Sequence, residues 1–173
     1  MATSSSNKMP LLVDRPLHSF ATIGGTAGLT SATDYNTPAP AGFVVLVDCS
    51  GNDGAVVDSL SIVALEASTT ARNVLVFLST ASTATSITTA NSAYVAGATI
   101  GSTARGERTN IPLPPLSVPV PNLGADASIT ETDKKNTGLY VPSSALLYVG
   151  VDQAIAAPSG NTRVHVFAQG GFF

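Results

Sequence analysis

The chain has 173 residues, of which 11% are charged and 44% hydrophobic, and a net charge of −3. This is one domain's worth of chain, and its eight Lys and Arg residues are scattered, so they offer neither a basic stripe for nucleic acid nor an electrostatic anchor for a membrane. The longest apolar runs, such as Phe43 to Val47 and Val74 to Leu78, fall far short of the ~20 residues a membrane-spanning helix requires.

Residues 1–15 read as an extended N-terminal arm: a polar start, then a short Leu11-Leu12-Val13 patch before Asp14-Arg15-Pro16, with no helical repeat. No apolar stretch of signal-peptide length occurs there, so a protein made and used without Sec export is expected. Residues 16–173 read as a single β-sandwich domain. From Leu17 to Pro40, Gly, Thr, Ser and Pro surround isolated Phe20, Ile23, Leu29 and Tyr35, a pattern of short strands and turns. Gly42 to Asp48 is a β-branched run that ends in Ser50-Gly-Asn-Asp-Gly54, a tight reversal. In Asp58 to Ala64, Leu60, Ile62 and Ala64 share one face while Ser59 and Ser61 look outward. Asn73 to Leu78 is apolar on both faces, so one side belongs to the core and the other lies beneath a loop or a second subunit.

Ser79 to Gly106 is rich in Thr, Ala and Ser without a helical moment and reads as extended chain or loop. Five prolines between Ile111 and Pro121 exclude a central strand and favour a stiff edge or crossover carrying Leu113, Leu116 and Val118. The charge cluster Glu131 to Lys135 reads as a solvated loop tip. Strands return at Ser144 to Val151 and Thr162 to Ala168, across a Pro158 to Asn161 turn, and the chain closes on Phe172-Phe173. With seven or eight short strands and no amphipathic helix, the expected fold class is all-β: an antiparallel β-sandwich of jelly-roll-like kind.

Catalytic chemistry is sparse. There is no G-x-S-x-G elbow, and the lone Cys49 excludes an internal disulfide and reads as a small buried hydrophobe. His165 between Val164 and Val166 reads as an outward strand residue, and His18 as a loop or edge residue. Two His and one Cys do not make a zinc site; Asp48 to Gly54 lacks the ligand alternation of a calcium loop and reads as an Asx turn. No Trp is present to form a sugar platform. No enzyme activity, metal or cofactor is expected. Low charge and apolar segments point instead to packing against copies or partners. The residues expected at such contacts are Leu11, Leu12 and Val13, the proline-stiffened Leu113, Leu116 and Val118, and the terminal Phe172 and Phe173.

The stretch Ala55 to Leu78 resembles small structural proteins of tailed bacteriophages. A Gly- and Asn-bearing turn leads into the strand Val57-Asp-Ser-Leu60, a Thr69-Thr-Ala71 reversal and the strand Val74-Leu-Val-Phe-Leu78. The ending Val164 to Phe173 is similar too. Among those proteins the likeness is to the capsid cement, or decoration, proteins of cyanophage-type heads. That resemblance implies a jelly-roll-like sandwich on the outer face of an icosahedral capsid, bridging neighbouring major capsid proteins, commonly as a homotrimer and without catalytic residues. Such a virion protein would pass through the host cytoplasm during assembly. A phage tail or adhesin component that recognises host glycans, and a small hydrolase, are the alternatives.

Overall fold

The computed structural model describes residues 14–23, 42–65, 71–101, 105–113, 138–153 and 164–173. Among them nine strands occur: β1 (Arg15–Ile23), β2 (Val44–Asp48), β3 (Gly54–Ala64), β4 (Arg72–Ser79), β5 (Ser92–Ile100), β6 (Arg108–Ile111), β7 (Leu139–Pro142), β8 (Leu146–Val151) and β9 (Val164–Phe172). The first sheet runs β1-β9-β3-β6, with β7 also paired to β3, and the second runs β2-β8-β4-β5. All pairings are antiparallel. The expected all-β sandwich is therefore observed, with a main core of side chains drawn from both sheets, including Ile23, Leu46, Val57, Ile62, Val76, Leu147, Val149 and Val166. Along one edge the sheets are tied by the Ser19 hydroxyl, which donates to the Leu46 carbonyl.

Three bulges tune which residues reach that core. In β3 the register against β9 shifts between Val57 and Ser59. Ala55 and Val57 point inward before the shift, and Leu60, Ile62 and Ala64 after it. Without the extra residue, Asp58, a period of two would turn one of these sets outward. In β2 a shift between Val45 and Val47 lets both Leu46 and Val47 enter the core. Opposite Val76 and Phe77 of β4, the extra residue is Val95 of β5.

The β3 bulge requires a bare backbone opposite it. A Cβ on Gly170 would lie 1.9 Å from the Val56 carbonyl oxygen, a distance no side chain tolerates. The second sheet uses glycine in the same way: the Phe43 ring lies against Gly150, where a Cβ would meet three ring carbons at 2.9 Å.

β5, in the Thr- and Ala-rich stretch read as extended chain or loop, and the short β6 and β7 are additions to the strands expected from sequence; all three lack the dense β-branched runs of β2, β4 and β8. Ser61 does point outward, yet it is only 7% exposed, because its ladder neighbours on that face are Phe167 and Asn110.

Gly170→Ala is expected to lower the unfolding free energy by about 1–3 kcal/mol, as overpacking does, whereas Gly101→Ala, with nothing within 4 Å of its Cβ position, should stay within ~0.5 kcal/mol of the parent. Urea unfolding of the two variants checks this.

Candidate interaction surface

The two sheets treat their outer faces differently. On the second sheet, Phe43, Phe77, Leu146 and Tyr148 form a small second core with Ala81 and Ile87. The latter two belong to the segment after β4, which turns through a short 3-10 helix at Ala84–Ser86 and folds over the sheet. Its polar side chains stand in for a ladder. The Ser79 hydroxyl donates to the Asn91 carbonyl (3.0 Å) and accepts from the Ala81 amide (3.0 Å), and the Asn91 amide group donates to the Ser86 carbonyl (2.7 Å). The buried Tyr148 hydroxyl donates to the Ala81 carbonyl at 2.7 Å. The expected cover over the apolar outer face of β4 is thus a loop of the same chain.

On the first sheet, nothing among the described residues covers the outer face. The ladder arranges it in rows. One row reads Phe20, Phe167, Ser61, Asn110; the next reads Thr22, His165, Val63, Arg108; on the other side stand His18, Gln169 and Ser59. Phe20 is 61% exposed. Its ring centroid lies 6.0 Å from that of Phe167 and 5.7 Å from that of His165, and the Arg108 guanidinium is 6.0 Å from the Phe167 ring. Farther along, Tyr140 is 42% exposed beside Phe173, with ring centroids 6.4 Å apart. Phe20 is exposed while Phe167 and His165 are half-buried, so the three rings form an apolar patch of the kind an interaction surface uses.

The terminal phenylalanines separate. Phe172 is half-buried against the main core, with the Arg15 guanidinium 4.7 Å from its ring centre. By strand alternation Phe173 falls on the outer face, and its amide donates to the Gly54 carbonyl at 3.1 Å. Leu113 is half-buried at the end of β6, in a groove of about 340 Å³ with Asp58, Ser59, Leu60 and Asn110. Leu11, Leu12, Val13, Leu116 and Val118 lie outside the described residues. The Asp14 amide donates to the Phe172 carbonyl at 2.8 Å, so Asp14 and Phe173 stand at the same end of the sandwich. Sequence reasoning missed the cluster of Phe20, His165 and Phe167, because their proximity depends on the pairing of β1 with β9.

Cys49 is fully buried in the main core, and burial, aided by the Asp48 charge, pushes its thiol up to about 11. It is held as a neutral thiol, the opposite of an activated nucleophile. The turn after it is an Asx turn, with the Ser50 amide donating to the Asp48 carboxylate at 2.8 Å. His165 is half-buried and outward on β9, and His18 is exposed on β1. Among the described residues, no group of three or more His, Cys, Asp or Glu side chains is placed to hold a metal ion.

The chain was compared with family models, curated proteins and solved structures, and no significant match was found in any of them.

Iodoacetamide at pH 8 should leave Cys49 of the folded protein unmodified and alkylate it rapidly in denaturant, as followed by mass spectrometry. Because the folded thiol keeps a proton that the unfolded thiol releases from about pH 9.0 upward, Cys49 stabilises the fold fully below that pH. This contribution declines as pH rises towards about 11.

Proposed function

We propose that this chain is a virion structural protein, a capsid cement or decoration protein on the outer surface of an icosahedral head that bridges neighbouring major capsid proteins and stabilises the shell. The observation that carries the reading is the asymmetry of the sandwich: one sheet is capped by its own chain, while the other, among the described residues, presents a nearly uncharged aromatic face. A surface of that kind belongs in an assembly. The strand order, β1-β9-β3-β6 facing β2-β8-β4-β5 with β7 as an added strand, supports a jelly-roll connectivity, an architecture that serves both capsid proteins and lectins. The phage-like sequence of β3 and β4 favours the capsid.

In this reading the sandwich assembles as a homotrimer and grips the shell at the end that carries Asp14 and Phe173. The expected arm ends where β1 begins, since Arg15 already pairs with Phe172, and the segment before β1 docks through Leu11, Leu12 and Val13 beside Phe173. The proline-stiffened Leu113, Leu116 and Val118 add contacts whose ordering entropy is largely spent in advance. A footprint of ~800 Å² per subunit, about half apolar, gives a gross gain of order 10 kcal/mol at ~25 cal/mol/Å², before ordering costs. A trimer attached through several such footprints dissociates very slowly, and packaged DNA that presses the capsomers apart must break these contacts first.

The competing reading is a phage tail or adhesin component that binds host glycans through its loops. Copy number and target separate the two. As a decoration protein the chain should occur in purified particles at a copy number comparable with that of the shell subunit, co-sediment with expanded heads and raise the temperature at which they release DNA. A few copies per particle, or binding to cells and not to heads, would overturn the proposal. Phe173→Ser should weaken head binding ~10-fold with little change in unfolding midpoint, whereas Phe172→Ser should lower the midpoint as well.

A further inference from the structure

We infer that the outer face of the first sheet is a self-complementary interface on which a second copy of this chain packs, sheet against sheet. The two-fold axis lies in the plane of contact and runs across the strands along the row Phe20, Phe167, Ser61, Asn110. The inference concerns the pairing of copies and goes beyond the capsid reading.

Size comes first. Four strands ~4.8 Å apart, with nine residues of β9 rising ~3.3 Å each, span ~19 by ~30 Å. That is ~600 Å² on each copy and ~1,200 Å² in total, where specific protein interfaces begin. Two sheets stacked face to face also match the aligned packing by which sandwiches are built.

The distribution of charge then selects the partner. Among strand residues turned to this face, only Asp58 and Arg108 carry a formal charge, and both are exposed. They have opposite signs and stand on opposite sides of the Phe20 row: Arg108 pairs with Val63 in the ladder, one row beyond it, and Asp58 sits at the bulge beside Ser59, one row before it. Five residue steps along β3 and one strand step across separate them by ~17 Å. A two-fold axis in the contact plane along the Phe20 row sets Asp58 of one copy opposite the Val63 end of β3 in the other, one strand spacing (~5 Å) from Arg108 of that copy, an offset the long arginine side chain spans, twice per pair.

Residues on that axis meet their own counterparts, so each must be able to pair with itself. Phe20 and Phe167 stack on their copies, and Ser61 and Asn110 each carry a donor and an acceptor. A charged residue in this row would meet its own sign. None is there. The same operation sets His165 opposite Gln169 and Val63 opposite Ser59, pairs without like-charge conflict.

The test is the mass of the purified full-length chain by sedimentation equilibrium up to ~100 μM. The wild type should contain an even number of copies, either a pair or two trimers joined face to face. Phe20→Asp with Phe167→Asp should halve that mass, and Tyr94→Asp, on the other sheet, should leave it unchanged. Arg108→Asp alone should weaken the pairing at least ~10-fold, and adding Asp58→Arg should restore it. This rescue also shows that the single variant folds. A wild type of one or three copies, a mass insensitive to the Phe20 and Phe167 changes, or no rescue by the charge exchange would overturn the inference. So would a single copy whose aromatic face binds a soluble glycan instead. Because the measurement uses no heads, its failure leaves the decoration reading standing, and failure of head binding leaves the pairing standing.

Discussion

The register between β3 and β9 governs the rest of the molecule, and it depends on a close approach at the β3 bulge. β3 pairs with β9 along one edge and with β7 and then β6 along the other. Its eleven residues keep one face in the core only because Asp58 is accommodated as an extra residue opposite bare Gly170. If that register slipped by one residue, Leu60 and Ile62 would exchange places with Ser59 and Ser61, and four strands would lose their common core at once. The same register sets Phe167 of β9 beside Ser61 of β3, and the pairing of β1 with β9 adds Phe20 to that row. Core and outer surface thus share the alignment of β3 with β9.

The two sheets solve one problem in two ways. β4 and β8 are apolar on both sides, and a strand of this kind destabilises the soluble state unless its second face is covered. The second sheet meets that need within the chain, using Ala81 and Ile87 as the cover and Ser, Thr and Asn side chains to satisfy the backbone of the covering segment. This explains why a stretch so poor in bulky residues follows so apolar a strand: its small side chains lie close to the sheet, and its hydroxyls replace ladder partners. The first sheet has no such cover among its described neighbours, and its exposed rings keep the low charge of the whole chain. Desolvating that face on contact removes few ionic groups from water, so little of the gain from burying the rings is cancelled.

Much of this was legible in the sequence where periodicity is local. The alternation of Leu60, Ile62 and Ala64, the β-branched run ending at Asp48, the doubly apolar Asn73 to Leu78 and the strand before Ala168 each announce their conformation within a few residues. β5 was hidden because Ser92 to Ile100 joins alanine and glycine to a single exposed aromatic, Tyr94, and its bulge breaks the alternation. β7 is too short to show any. The terminal phenylalanines looked like one apolar tail, but alternation sends Phe172 to the core and leaves Phe173 on the outer face. The cluster of Phe20, His165 and Phe167 had no local signal, since only the pairing of the first strand with the last creates it.

The geometry divides labour between the broad face and the end of the sandwich. A flat sheet face suits a partner that is itself flat and repeats the same chemistry, which a second copy supplies without any new surface having to be shaped. The end near Asp14, with the Asp48 to Gly54 turn, the Pro142 to Ala145 turn and Phe173 close by, presents irregular backbone and separate side chains, and such relief suits the uneven surface of a different protein. If the broad face were used for the shell instead, Asp58 and Arg108 would each need a fixed opposite charge on the lattice, spaced to match. Pairing of copies meets that condition automatically, because each copy carries both charges, and it leaves the end of every sandwich free to grip the shell.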